Sequence, residues 1–272
     1  MRKASRTPTI HGVDFSGAAD AGKRIWVASG HDWEGQLRIE ACRRGDELPG
    51  SGQGLDPSLA ALVRFICSQP GSLVGLDFPF GLPRPLVRDR RWEEFVRAFP
   101  IRYRSPERLR AACRSAADGR ELKRVTDADA RTPFSAYNLR LYRQTYHGIR
   151  DLLLPLVQGA HARVLPMQSP WREKPSLMEV CPASTLKRLG LYQPYKGRSI
   201  AHRRARGRIL KALERAGLLL ARAELRGPIL SCAGGDALDS VIAALAAHRA
   251  WRSGAWGIGC DGDRAIEGHV FV

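Results

Sequence analysis

The chain of 272 residues carries 44 Lys and Arg against 27 Asp and Glu, a formal charge of +17, with 44% hydrophobic and 26% charged residues. That balance excludes a disordered, collagen-like or coiled-coil chain and leaves enough apolar material for a sizeable core. The excess charge attracts polyanions, nucleic acid ahead of acidic membrane or phosphorylated metabolites, although a genome-wide Arg bias produces the same sum.

In chain order, residues 9–14 (TIHGVD), 24–30 (RIWVASG) and 36–42 (QLRIEAC) read as three short strands, and links this short join antiparallel neighbours. Residues 56–69 (DPSLAALVRFICSQ) have helical apolar spacing behind an Asp cap. A buried strand follows at 72–78 (SLVGLDF) and stops at PFGLPRP; a strand reached through a helix runs parallel to its partner. From about 84 to 172 the composition shifts toward Arg with few strand signals. Within it, residues 131–157 predict a long helix beginning near Ser135 and carrying Tyr137, Arg140, Arg143 and Tyr146. Next come a strand at 176–182 (SLMEVCP), a short helix (ASTLKRLG), a very basic turn and helix at 196–217, a helix at 236–251 and a closing hairpin, AWGIGCDGDRAIEGHVFV.

No apolar run approaches the roughly eighteen residues of a membrane span, and the basic start MRKASRTPTI lacks a signal core, so a cytoplasmic protein is expected. Cys42, Cys67, Cys113, Cys181, Cys232 and Cys260 form no C-x-x-C pair, which argues against a zinc ribbon or a disulfide framework. A Rossmann domain begins with βαβ and a glycine fingerprint, and this chain does neither. Its order is that of the ribonuclease H fold, an α/β mixed five-stranded sheet in which an antiparallel three-strand meander precedes two parallel strands, with helices on both faces. One such domain over 1–272, with an Arg-rich, mostly helical insertion at about 84–172, is the expected organisation.

Asp14 and Asp77 stand where apolar strands become Gly- and Pro-rich loops, the ends at which open α/β sheets bind ligands. Glu179 lies in an apolar strand, a costly place for a charge without a metal or a partner such as a buried Arg. Asp236 and Asp239 open a helix three residues apart and so share one face. Carboxylates from several elements suit Mg²⁺ or Mn²⁺, hard ions that activate water in phosphodiester cleavage. Taken singly, each aspartate also fits an Asx turn, a turn cap or a helix cap.

The segments HGVDFSGA, VGLDFPFGLP, MEVCPASTLK, GDALDSVIAAL and EGHVFV resemble the successive motifs of the predicted ribonuclease-H-fold nucleases called domain of unknown function 429. The D-x-x-D helix is similar to that of Holliday-junction resolvases. The resemblance implies that Asp14, Asp77, Glu179, and Asp236 or Asp239 occupy metal-site positions; Cys181 stands where the family motif has Tyr or His. The expected protein is thus a Mg²⁺- or Mn²⁺-dependent nuclease with nucleic acid as its partner.

Arg140 and Arg143, with neighbouring Asn and Tyr, suit phosphate contact and base stacking, or the Tyr and Leu stripe is core. Lys196, Arg198, Arg203, Arg204, Arg206 and Arg208 form a candidate phosphate-binding surface, whose bland alternative is a solvated helix face. Three other functions remain open: a sugar-kinase-like or actin-like ATP binder using DFSGAADAGK, a small-molecule phosphohydrolase, and a nucleic-acid-binding module without catalysis.

Overall fold

The computed structural model describes residues 7–257, 259 and 262–272. A meander of β1 (Thr9–Asp14), β2 (Trp26–Trp33) and β3 (Gln36–Arg44), with the helical turn α1 (Ala21–Arg24) after the first strand, leads through α2 (Leu55–Cys67) to β4 (Leu73–Leu76). Helices α3 (Trp92–Arg102), α4 (Pro106–Ala116), α5 (Val125–Asp129) and α6 (Tyr142–His147) follow. A π-helical stretch, Gly148–Leu153, then connects to α7 (Leu154–Gln158) and β5 (Arg163–Leu165). The remainder comprises β6 (Ser176–Val180), α8 (Pro182–Arg188), α9 (Ile200–Arg215), β7 (Leu218–Leu220), α10 (Arg226–Ser231), α11 (Asp236–Arg252), α12 (Arg264–Glu267) and β8 (Val270–Phe271). Among the described residues no single helix is long and apolar enough to cross a membrane.

The sheet is mixed, in the order β5-β6-β4-β1-β2-β3-β7, with β8 also on β6. The first three strands are antiparallel, β4 joins β1 in parallel and β6 joins β4 in parallel, as expected. Eight strands replace the expected five. The additional ones, β5, β7 and β8, are two or three residues long, too short to show an alternating pattern in the sequence.

Strand alternation divides the core into two layers. Along β1, Ile10 packs on the side of α9 and α11, and Val13 on the side of α2 and α3. Gly12 lies on the α11 side and is the register partner of Gly75 on β4. A Cβ at Gly12 would sit 2.1 Å from Ala244 N and Ser240 O, and one at Gly75 would sit 2.7 Å from Ala243 O. The two glycines thus form a slot in which the Ala-rich α11, buried over most of its circumference, lies directly on the sheet. Gly12→Ala is expected to push this helix outward and cost about 3 kcal/mol, since backbone atoms cannot rotate away as a side chain can. A urea midpoint within experimental error of the wild type would refute that packing account.

Two expected elements differ. The helix expected within 131–157, from near Ser135, begins only at Tyr142, because Asn138 Oδ1 accepts from Arg140 N at 2.9 Å in a local turn that competes with helix. Tyr137 and Tyr146 are core residues. The closing segment is no hairpin over its described part: α12 turns at Gly268, whose φ is +93°, into β8, which runs parallel to β6. Cys260 and part of that expected hairpin lie outside the described residues.

Candidate active site

Asp77 N donates to Val13 O at 3.0 Å, which extends the β1–β4 pairing by one step and sets Asp14 and Asp77 side by side. Each follows its slot glycine by two residues and so faces α11. On the other side of the cleft, α11 begins at Gly235, held at φ +84°, where a Cβ would stand 2.9 Å from the Tyr195 ring. A glycine is therefore required both by conformation and by space. The first turn of α11 brings Asp236 and Asp239 toward the strand ends. The result is a cavity of about 300 Å³ whose walls include Asp14, Asp77, Asp236, Asp239, Tyr195 and Lys196.

This cluster is undercompensated. Asp239 is 1% exposed; its Oδ1 accepts from the Tyr195 hydroxyl and its Oδ2 meets Lys196 Nζ at 2.6 Å. Burial, then the charge of Asp239, push the Asp14 carboxyl well above the ordinary carboxylate range, against the pull of Lys196. The same causes raise Asp77 to about 7, and burial raises Asp236. Burial works against the charge of Lys196, but Asp239 and Asp14 outweigh it and keep the ammonium protonated. Burial pushes the Cys181 thiol up to about 12, so it is no thiolate nucleophile at neutral pH.

Glu179 differs from the aspartates in its partners. Its register partner on β4 is Leu76, not a residue of the Asp77 face, so alternation turns it toward the opposite layer. There its carboxylate accepts from Phe80 N at 2.9 Å and is clamped by both terminal nitrogens of Arg124. Arg124 also grips Asp127 and the Glu267 carbonyl. Glu179 therefore lines the cleft with both carboxylate oxygens engaged in a buried ion network.

A family model described as a protein of unknown function, DUF429, matches residues 12–258. The chain belongs to that family. No curated protein and no solved structure matches it. In this DUF429 chain the matched span takes in all four clustered aspartates, while EGHVFV extends beyond it.

The basic residues of the DUF429 chain separate by environment. Arg206 is buried and donates to Leu230 O, to Tyr195 O at 2.6 Å and to Gly197 O at 3.1 Å. It holds the backbone on either side of Lys196, so its expected role on a phosphate-binding surface is corrected to positioning. Lys196 belongs to the acidic cleft. Arg198, Arg203, Arg204 and Arg208 are exposed, as a helix with one apolar stripe requires. Arg140 stacks on Phe134 and Arg143 pairs with Glu107 at 2.6 Å, both at the surface.

Sequence reasoning missed Tyr195, Arg124 and Gln144, and it placed Lys196 on a basic surface rather than in the cleft. Tyr195 and Lys196 reach Asp239 across 43 or more residues of chain, and only the polar triplet YKG before a basic helix hints at them. Arg124 carries no signal among so many arginines. Gln144 Nε2 donates to Phe15 O at 2.8 Å and Asp77 O at 2.6 Å, tying α6 to both acid-bearing strand ends. In the glycine turn considered for ATP, Gly22 N donates to Gln53 O at 3.1 Å, so that N–H is already engaged within the protein.

Asp14, Asp77, Asp236 and Asp239 offer the all-oxygen donor set that Mg²⁺ or Mn²⁺ takes, and the carboxyls of Asp14, Asp77 and Asp236, raised first by burial, mark a local deficit of positive charge. Among the described residues no group of three or more His, Cys, Asp or Glu stands in a ready metal-holding arrangement. With Lys196 against Asp239, the lysine is the cation that the cluster holds.

Proposed function

We propose that the protein is a divalent-metal-dependent hydrolase that cleaves phosphodiester bonds of nucleic acid at the four-aspartate cleft. The observation that supports this reading is the convergence of Asp14, Asp77, Asp236 and Asp239, from two strand ends and one helix start, on one cavity with too little positive charge. A groove for polyanions gains nothing from buried carboxylates unless a cation compensates them.

Asp14, Asp77, Asp236 and Asp239 are the residues that would hold Mg²⁺ or Mn²⁺. Such an ion supplies water activation and neutralisation of charge on the leaving oxygen. Tyr195 orients Asp239 by donating to Oδ1, and Arg206 fixes the backbone that carries Tyr195 and Lys196. Lys196 Nζ and Arg24 are cations on the cleft wall suited to a phosphate oxygen. Arg198, Arg203, Arg204 and Arg208 add an exposed basic face for a strand backbone.

A second reading, hydrolysis of a small phosphorylated molecule, draws support from the cavity itself, since about 300 Å³ is at the small end for ligand pockets. One assay separates the two. Labelled single-stranded, duplex and branched DNA and RNA, together with nucleotides and sugar phosphates, are incubated with Mn²⁺ or Mg²⁺ beside Asp14→Asn and Asp236→Asn. Strand cleavage that both variants lose supports the nuclease. Turnover of small phosphates without strand cleavage transfers the reading to a phosphohydrolase, and no metal-dependent turnover of any substrate refutes both.

A further inference from the structure

A second cavity, of about 570 Å³, shares Val270 of β8 with the acidic cleft as a wall, but its chemistry is opposite. Arg188 from the end of α8, Arg249 and Arg252 from the last turn of α11, and Arg264 from α12 line it, with His269 beside them. Among the described residues the cavity has one side-chain carboxylate, Asp129, and Arg264 already engages it. Arg252 reaches Asp32 only at 3.9 Å, and Arg188 and Arg249 form no ion pair among the described residues. Arg264 Nε is buried and has no hydrogen-bond partner.

Cations at helix ends have an ordinary role in offsetting the helix dipole, which amounts to about half a charge at each terminus. Two C-termini therefore account for about one of the guanidinium charges, and Arg264 belongs to neither helix. Asp129 offsets a further charge through Arg264, and the guanidinium charge left around the cavity costs repulsion that an anion would relieve. Planar guanidinium forks match the oxygens of phosphate, and several of them on different elements fit a tetrahedral group. Arg188, Arg249 and Arg252 are exposed, so an anion can reach the cavity from solvent.

We propose that this cavity is a phosphate-binding site, separate from the aspartate cleft, that takes either a free oligophosphate or a phosphate of a nucleic acid strand. The site does not depend on the hydrolase reading, because it needs neither the metal nor the four aspartates.

The test is calorimetric titration with inorganic pyrophosphate in the presence of EDTA, which prevents any metal in the acidic cleft from recruiting the ligand. Wild type is compared with Arg188→Gln/Arg249→Gln and with Arg104→Gln/Arg108→Gln, a pair of exposed arginines around α4 that removes the same charge elsewhere. All four positions are exposed, and thermal melting verifies that each variant is folded. Saturable binding is expected in the wild type, at least about tenfold weaker in the cavity pair and nearly unchanged in the α4 pair. A single-stranded oligonucleotide is then added. If it displaces pyrophosphate the strand phosphate is the ligand, and if it does not the ligand is a free oligophosphate. Absence of saturable wild-type binding, or equal losses in both pairs, overturns the proposal.

Discussion

Arg124→Met is expected to lower the unfolding free energy by about 3–5 kcal/mol, measured as a reduced urea midpoint with little change in slope. Every guanidinium nitrogen of Arg124 is engaged. Nε and Nη2 hold the two oxygens of Asp127 at 2.9 Å, while Nη1 donates to Glu179 Oε2 and Glu267 O, both at 2.9 Å. Glu179 and Asp127 are each 2% exposed, so removing their common partner leaves two carboxylates without water. Glu179 is already pushed upward by burial even against the pull of Arg124. Without the arginine it holds its proton more strongly, so the penalty is largest at neutral pH and shrinks as acid protonates it. Arg124→Met combined with Glu179→Gln should recover a large part of the loss, because one of the stranded charges is gone. A loss below about 1 kcal/mol for the single variant would show that the network is not a buried ion pair in solution.

Asp14→Asn is expected to have opposite effects on activity and stability. Metal-dependent hydrolysis should fall at least about 10²-fold, the scale of losing one charge-stabilising group at a reacting centre. The metal-free protein should at the same time become more stable near pH 8. Asp14 and Asp77 have folded pKa values raised above those of the unfolded chain, so the folded state binds protons more tightly. Their contribution to stability is full below the unfolded value of about 3.9 and is lost as pH rises through the folded value, which for Asp77 is about 7. Metal-free wild type should therefore lose stability between pH 5 and 8, the span of roughly these values, and the Asn variant should lose less. A divalent ion that binds only the folded state restores about 2.7 kcal/mol at a hundred times its dissociation constant. Thermal melts at both pH values, with EDTA or with Mn²⁺, test all of this together. A wild-type melting temperature indifferent to pH and to metal would remove the account of the cleft as a charge-deficient cation site.

Much of the architecture was legible because it rests on local patterns. The meander, the crossover helix, the two parallel strands and the helix opening with Asp236 follow from short links, alternation and helical spacing. These also place Asp14 and Asp77 at neighbouring strand ends. The three short strands escaped notice because two or three residues carry no period. The helix over 131–157 was placed too early because local turn chemistry at Asn138 competes with apolar spacing.

The acids could be found in the sequence, but their partners could not. How each carboxylate of the cleft is compensated depends on the face its side chain takes in the assembled sheet, and register turns Glu179 toward Arg124. Arginines look alike along a chain. Burial against backbone carbonyls makes Arg206 a strut, ion pairing makes Arg124 a clamp, and convergence from separate helices makes Arg188, Arg249, Arg252 and Arg264 the lining of a cavity. The meander, the two parallel strands beside it and the aspartates at their ends are readable along the chain, because these follow from interactions between near neighbours. Which charges neutralise one another emerges only once the chain is folded, because that depends on distances between groups far apart in sequence and on how far water is excluded between them.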